Sequence, residues 1–134
     1  MIETTEQRDA IDRMVRLFYE RGLTDELLGP IFRERIHDWD AHIPIVANFW
    51  SSMLHGTQRY KGNAFGVHMQ LKFEPEAFER WIATFESAVT DTLAPDDAAK
   101  AIRIARHMAQ SFKVGLFPFT GADGRPSRAP TNNR

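Results

Sequence analysis

Apolar residues recur at helical spacing in four stretches of the chain, and no stretch alternates polar and apolar residues as a half-buried strand does. This pattern restricts the fold to the all-α class. Before the first stretch, Thr4 has the spacing from Gln7 that predicts a capping box, and Gly22 is predicted to cap its end. Residues 24–28 are predicted as a single turn, because Gly29-Pro30 follows. The apolar face of this first helix consists of Ile11, Met14, Val15, Phe18 and Tyr19.

The other three stretches also begin at residues that favour helix starts. The second helix is predicted from about Asp38 to Leu54, and Pro44 inside it predicts an irregular opening turn or a later start. The third begins at Glu74-Pro75, where proline suits the first helical position. The fourth begins at Pro95 and ends near Gly115.

Composition excludes several classes of protein. The 134 residues are enough for one domain, and their net charge of −1 provides no basic patch for nucleic acid. No apolar run reaches the roughly 20 residues that span a bilayer. The chain has no cysteine, so disulfides and thiolate metal sites are excluded. The polar, acidic start of the chain does not resemble a signal peptide, and we expect a cytoplasmic monomer.

The stretch between the second and third helices lacks a period but is rich in apolar side chains. A structureless loop longer than about 12–15 residues is uncommon in a compact domain and is usually functional or disordered. Its side chains, among them Tyr60, Phe65 and Phe73, must pack on something, and His68 lies among them. Such a histidine is more often structural than a ligand. Aromatic residues make up 11% of the chain, which suits either a dense core or a flat apolar ligand.

Seven short motifs occur in an order that resembles the truncated haemoglobins, most closely their third group. The resemblance covers about residues 8 to 118 and implies a two-over-two helical sandwich around haem b, iron protoporphyrin IX. The motifs are Phe18-Tyr19-Glu20, Leu28-Gly29-Pro30-Ile31-Phe32, Trp39-Asp40-Ala41-His42, Asn48-Phe49-Trp50, Arg59-Tyr60-Lys61-Gly62, His68 and Phe78-Glu79-Arg80-Trp81.

The resemblance also implies a role for individual residues. His68 corresponds to the proximal ligand of the iron, which in globins is a histidine. Tyr19, His42 and Trp81 correspond to the distal pocket, where Tyr19 and Trp81 can donate hydrogen bonds to a bound gas. We expect His42 to act as a gate rather than as a second iron ligand. The residues expected to contact the haem itself are Phe32, Val46, Phe49, Trp50, Arg59, Tyr60, Lys61, Phe73 and Met108.

Three functions are compatible with these patterns. The first is a haem protein that binds oxygen, nitric oxide or carbon monoxide, for example in oxygen transport. The second is a haem redox enzyme, a nitric oxide dioxygenase or a peroxidase-like protein, which would need an external reductase because the chain has no G-x-G-x-x-G motif. The third is a helical interaction module without haem. We expect a globin-like domain over 1–118 and a disordered tail over 119–134, which is rich in Gly, Pro, Ser and Asn.

Overall fold

A computed structural model describes residues 2–60, 62, 73–116, 119–120 and 126–127. His68 and Lys61 lie outside the described residues. Within these ranges, no helix combines the length and apolar character that a membrane span requires. The prediction of an all-α fold is confirmed, since the described part contains five α-helices and two two-residue strands that pair antiparallel. These are α1 (Thr5–Leu23), α2 (Leu28–Arg35), α3 (Trp39–His55), α4 (Pro75–Thr92), α5 (Pro95–Leu116), β1 (Phe119–Thr120) and β2 (Pro126–Ser127).

Helix α1 begins as the sequence predicts and ends differently. The Thr4 backbone N–H donates to Gln7 Oε1 at 2.8 Å, and the Gln7 N–H donates to Thr4 Oγ1 at 3.1 Å, which confirms the capping box. The predicted cap at Gly22 is wrong, because the helix continues to Leu23 and Thr24 caps it. Gly22 instead permits close packing, since a Cβ there would lie 2.5 Å from the ring of Phe32.

Helix α2 follows directly after the turn predicted over residues 24–28 and runs through Gly29-Pro30, where the sequence predicts no helix. The Asp25 carboxylate accepts hydrogen bonds from the backbone N–H groups of Leu27 at 2.8 Å and Leu28 at 3.1 Å. Pro30 is the third residue of the helix, where a backbone N–H has no partner within the helix. The proline therefore costs no hydrogen bond, and the chain continues as a helix that carries Phe32 into the core.

Helix α3 has a regular start despite Pro44. Asp38 caps it by accepting from the Ala41 N–H at 3.1 Å, and the His42 N–H donates to the Asp38 carbonyl at 3.0 Å. The expectation of an irregular or later start is therefore wrong. At the other end Gly56 has a φ of 68°, a left-handed conformation that glycine adopts easily.

The four long helices pack as two pairs. Helix α1 contacts α3 and α4, while α5 contacts α4 and α3. A cluster of aromatic rings fills the space between the pairs, with the Phe18 ring centroid 5.0 Å from Tyr19, 5.7 Å from Phe85 and 6.3 Å from Trp81. This arrangement is the helical sandwich that the resemblance implies, and a cavity lies beside the aromatic cluster.

Candidate functional site

A cavity of about 390 Å³ opens between the helices, with walls that are almost entirely apolar. Ligand sites in proteins commonly have volumes of about 300–1,000 Å³ and mostly apolar walls with a few polar groups. Apart from Arg59, and from Lys61 and His68 outside the described residues, every predicted site residue lines this cavity. They are Tyr19, Phe32, His42, Val46, Phe49, Trp50, Tyr60, Phe73, Trp81 and Met108.

The structure adds lining residues that the sequence did not assign to a site. Those from α1 and α4 belong to apolar helix faces, where periodicity predicts a core but cannot distinguish it from a cavity wall. Arg35 and Ile36 lie at the end of α2, a helix that was missed, so their position on the cavity could not be found from the pattern. The added residues are Met14, Val15, Phe18, Arg35, Ile36, Ile45 and Phe85.

Two polar side chains meet on the wall formed by α1 and α3. Tyr19 Oη and His42 Nε2 lie 2.8 Å apart, a hydrogen bond between the first turn of α3 and the last turns of α1. Burial raises the pKa of the Tyr19 phenol above its ordinary value, so the hydroxyl keeps its proton at neutral pH. Tyr19 can therefore donate to His42 when Nε2 carries no proton.

Neighbouring rings fix the orientation of this pair. The Tyr19 ring packs edge to face against Phe32 and Trp39, with centroid distances of 5.2 and 5.0 Å. Trp39 also contacts the His42 imidazole, at a centroid distance of 6.1 Å. Aromatic pairs favour such geometries, and a phenol surrounded on several sides has little freedom to rotate away.

Trp81 is held on the wall contributed by α4. Its indole stacks on Phe85 with a centroid distance of 6.0 Å and an angle of 12°, and Phe85 stacks in turn on Trp50 at 4.7 Å. Phe18 meets Trp81 edge to face. The three stacked rings join α4 to α3 and give the cavity a rigid apolar side.

The segment after α3 places Tyr60 on the cavity wall, whereas Arg59 lies near Glu3 and does not line the cavity. The Tyr60 backbone N–H donates to Ser52 Oγ at 3.1 Å, and its ring packs edge to face on Phe49 at 5.2 Å. Arg59 Nε lies 3.8 Å from Glu3 Oε1, and Arg59 is outside the lining set. Only Tyr60 of these two neighbours contacts the cavity in this structure.

Comparison with known proteins agrees with this geometry. No family model matches the chain. The chain is 30% identical over 122 residues to a group 3 truncated haemoglobin from Campylobacter jejuni, a match that covers 87% of this chain and 96% of that protein. The chain belongs to the truncated haemoglobin family. The crystal structure of the group III truncated haemoglobin from Campylobacter jejuni superposes with a TM-score of 0.76 at 30% identity, over 87% of this chain and 94% of that one.

As a truncated haemoglobin, the chain has the fold that the ordered motifs imply. The curated relative and the crystal structure both carry the third-group description, which is the group that the motifs resemble most. The similarity covers most of the chain, so it includes the helices that form the cavity.

Proposed function

We propose that this truncated haemoglobin binds haem b in the cavity and takes a diatomic gas, oxygen, nitric oxide or carbon monoxide, at the haem iron. One observation carries the proposal: a single apolar cavity collects residues from four helices that the family motifs assign to a haem pocket, and Met108 of a fifth helix completes its lining. The names of the relatives give further support.

The residues that are present fit a flat, largely apolar group. Phe32, Phe49 and Phe73 provide broad apolar surfaces, and the walls carry few polar atoms that a porphyrin would leave unpaired. His68 would supply the axial nitrogen, while Tyr60, with Arg59 and Lys61 beside it in sequence, lies near the edge expected to hold the haem carboxylates. When bound, haem supplies an iron with an open coordination position for a gas.

The polar side of the cavity would stabilise a ligand that carries partial negative charge. The Trp81 indole N–H is a donor. The Tyr19 hydroxyl can donate its single proton to the ligand when it accepts from a protonated His42 Nε2, and each hydrogen bond contributes about 0.5–1.5 kcal/mol net. The contact between Tyr19 Oη and His42 Nε2 favours a gating role for His42, because its Nε2 is already engaged.

A second candidate function is a redox enzyme that receives electrons from an external reductase. The pairing of Tyr19 with His42 beside the cavity favours it, because several hydrogen-bonding groups hold and polarise a ligand more than simple transport requires. Nitric oxide consumption by the reduced protein under oxygen, measured with a supply of electrons, tests this candidate. Consumption no faster than with free haem would reject it.

Titration of the purified protein with haemin tests the main proposal. We expect a Soret band with one haem per chain, and His68→Ala should lose most of its haem on desalting while added imidazole restores binding. His107→Ala is the matched control, because His107 is an exposed histidine of α5 that does not line the cavity. A wild-type protein without a Soret band would reject the proposal, and a His68→Ala protein with normal haem retention would reject the assignment of the ligand.

A further inference from the structure

Arg35 occupies an unusual position at the end of α2. It is the last residue of the helix and is exposed, yet it lines the apolar cavity. Phe32 lies three positions earlier, one helical turn away, so the two side chains extend from the same side of α2. Among the described residues that line the cavity, Arg35 alone carries a permanent charge.

At the rim of an apolar cavity, the arginine side chain is suited to bind a carboxylate. The guanidinium is planar, always charged, and donates two parallel N–H bonds to a carboxylate. A single cation at the rim of an apolar cavity therefore favours a ligand with an apolar body and an anionic edge. Haem has this chemistry, because its porphyrin carries two carboxylates on one edge.

Arg59 is less available for this task than its position in sequence suggests. The Glu3 side chain near it is only 1% exposed. One Glu3 oxygen accepts from His55 Nδ1 at 2.6 Å, whereas Oε1 has no hydrogen bond among the described residues and lies 3.8 Å from Arg59 Nε. Moving Arg59 to the cavity would leave this buried carboxylate oxygen without its nearby cation, which is unfavourable.

We propose that Arg35, which lines the cavity whereas Arg59 does not, binds a carboxylate of the cavity ligand and contributes more to holding it than Arg59 does. The inference rests on the proposed function, since the carboxylates are those of haem b. Arg35 would place its guanidinium at the edge of the cavity that the end of α2 lines with Phe32 and Ile36.

Haemin and haemin dimethyl ester, which lacks the charged carboxylates, provide the test. The rate at which each porphyrin leaves the protein for excess apomyoglobin is measured for wild type, Arg35→Gln, Arg35→Lys and Arg59→Gln. Arg33→Gln is the matched control, because Arg33 is exposed on the same helix and its guanidinium donates to the Leu23 carbonyl at 2.7 Å.

For Arg35→Gln we expect haemin loss to accelerate by about three- to ten-fold, the range for a partly solvated charge-assisted bond. Loss of the ester should not change, Arg35→Lys should be intermediate, and the difference from wild type should shrink in 0.5 M salt because of screening. Arg59→Gln and Arg33→Gln should have smaller effects than Arg35→Gln.

Two results would overturn the inference while leaving the proposed function intact. One is haemin loss from Arg35→Gln at the wild-type rate, and the other is equal acceleration for haemin and its ester, which would indicate lost packing. Should Arg35→Gln fail to fold, the loss rates of haemin and its ester are compared between Arg35→Lys and wild type. Faster loss of haemin alone would support the inference, and an unchanged rate or equal acceleration for both porphyrins would overturn it. A wild-type protein that binds neither porphyrin would instead reject the proposed function, and the inference with it.

Discussion

The neighbours of Tyr19 fix the position of its phenol ring and keep its hydroxyl protonated. Three aromatic rings surround it, and its hydroxyl is 2.8 Å from His42 Nε2. Because burial holds the phenol in its protonated form, it remains a donor across the physiological pH range.

We predict that Tyr19→Phe retains haem but releases oxygen about tenfold faster, because one hydrogen bond to the ligand is worth roughly 1.4 kcal/mol at most. Stopped-flow displacement of oxygen by carbon monoxide measures the rate. The phenylalanine keeps the ring contacts with Phe32 and Trp39, so the apo-protein should keep its helical content. An unchanged release rate would mean that the hydroxyl serves only His42.

His42 is predicted to control ligand entry. In His42→Leu we expect the carbon monoxide association rate to change more than its dissociation rate, because the imidazole that Tyr19 holds at the cavity wall is removed. Flash photolysis measures association and ligand replacement measures dissociation. A low-spin ferric wild-type spectrum that becomes high-spin in His42→Leu would instead make His42 an iron ligand.

Individual site residues were predictable from sequence only in part. Tyr19 and Trp81 lie on helix faces that periodicity alone assigns to the core, and the ordered motifs were needed to place them at a cavity. The cavity position of Arg35 could not be predicted, because nothing in the sequence indicates that this charged residue at the end of α2 faces an apolar space. Gly22 was predicted as a cap because glycine often ends helices, whereas here the ring of Phe32 requires it.

At the scale of elements, α2 depends on a side chain outside the helix. Asp25 accepts from the Leu27 and Leu28 N–H groups and from Arg80 of α4, which it meets at 2.9 Å. Burial alone would raise the pKa of this carboxyl, but hydrogen bonds from Leu28, Leu27 and Arg80 outweigh it and hold the pKa below its ordinary value. One aspartate thus starts α2 and fastens it to the helix that carries Trp81.

We predict that Asp25→Ala lowers the free energy of unfolding of the apo-protein by about 1–2 kcal/mol, because it removes the charge-assisted hydrogen bonds that the carboxylate accepts from the Leu27 and Leu28 N–H groups. Urea unfolding near pH 7 measures it, and Glu26→Ala is the control because Glu26 is the exposed neighbouring acid. Since a lowered pKa stabilises the fold above the unfolded value, the difference between wild type and Asp25→Ala should shrink as pH falls below about 4. A constant difference down to pH 2.5 would contradict this account.

The missed helix α2 shows where sequence patterns lose information about elements. Gly29-Pro30 is typical of a turn, but proline is tolerated in the first helical turn, and only the position of Asp25 relative to Leu28 tells the two apart. The long helices were predictable because their apolar faces repeat over several turns. An eight-residue helix provides too few repeats, so its existence depends on tertiary contacts and on hydrogen bonds from outside the helix, such as that of the Asp25 carboxylate with the Leu28 N–H.

At the scale of the whole molecule, His55 joins three parts of the chain that are distant in sequence. Its Nδ1 lies 2.6 Å from Glu3, which precedes α1, and its Nε2 lies 2.8 Å from Asp97 in the first turn of α5. Two cations are close by: Arg59 Nε is 3.8 Å from Glu3, and Lys100 Nζ donates to the Leu54 carbonyl at 2.9 Å. With His55 at the end of α3, this cluster fastens the N-terminal segment, α3 and α5 together.

The cluster predicts that the apo-protein loses stability as pH rises from 6 to 8. Burial alone would lower the pKa of His55, but hydrogen bonds and charges of Glu3 and Asp97 outweigh it and raise the pKa above its ordinary value near 6.5. The stabilisation is therefore complete below about pH 6.5 and is lost as pH rises through the higher pKa of the folded state, by up to about 1.4 kcal/mol per pH unit.

Urea unfolding of wild type and His55→Gln at several pH values measures this effect. Glutamine keeps a hydrogen-bond donor but cannot become charged, so His55→Gln should be less stable than wild type at pH 6, and the gap should narrow toward pH 8. His107→Gln should follow the wild-type curve, because His107 is exposed. Parallel curves for wild type and His55→Gln would mean that His55 does not change its protonation between pH 6 and 8, which would contradict this account.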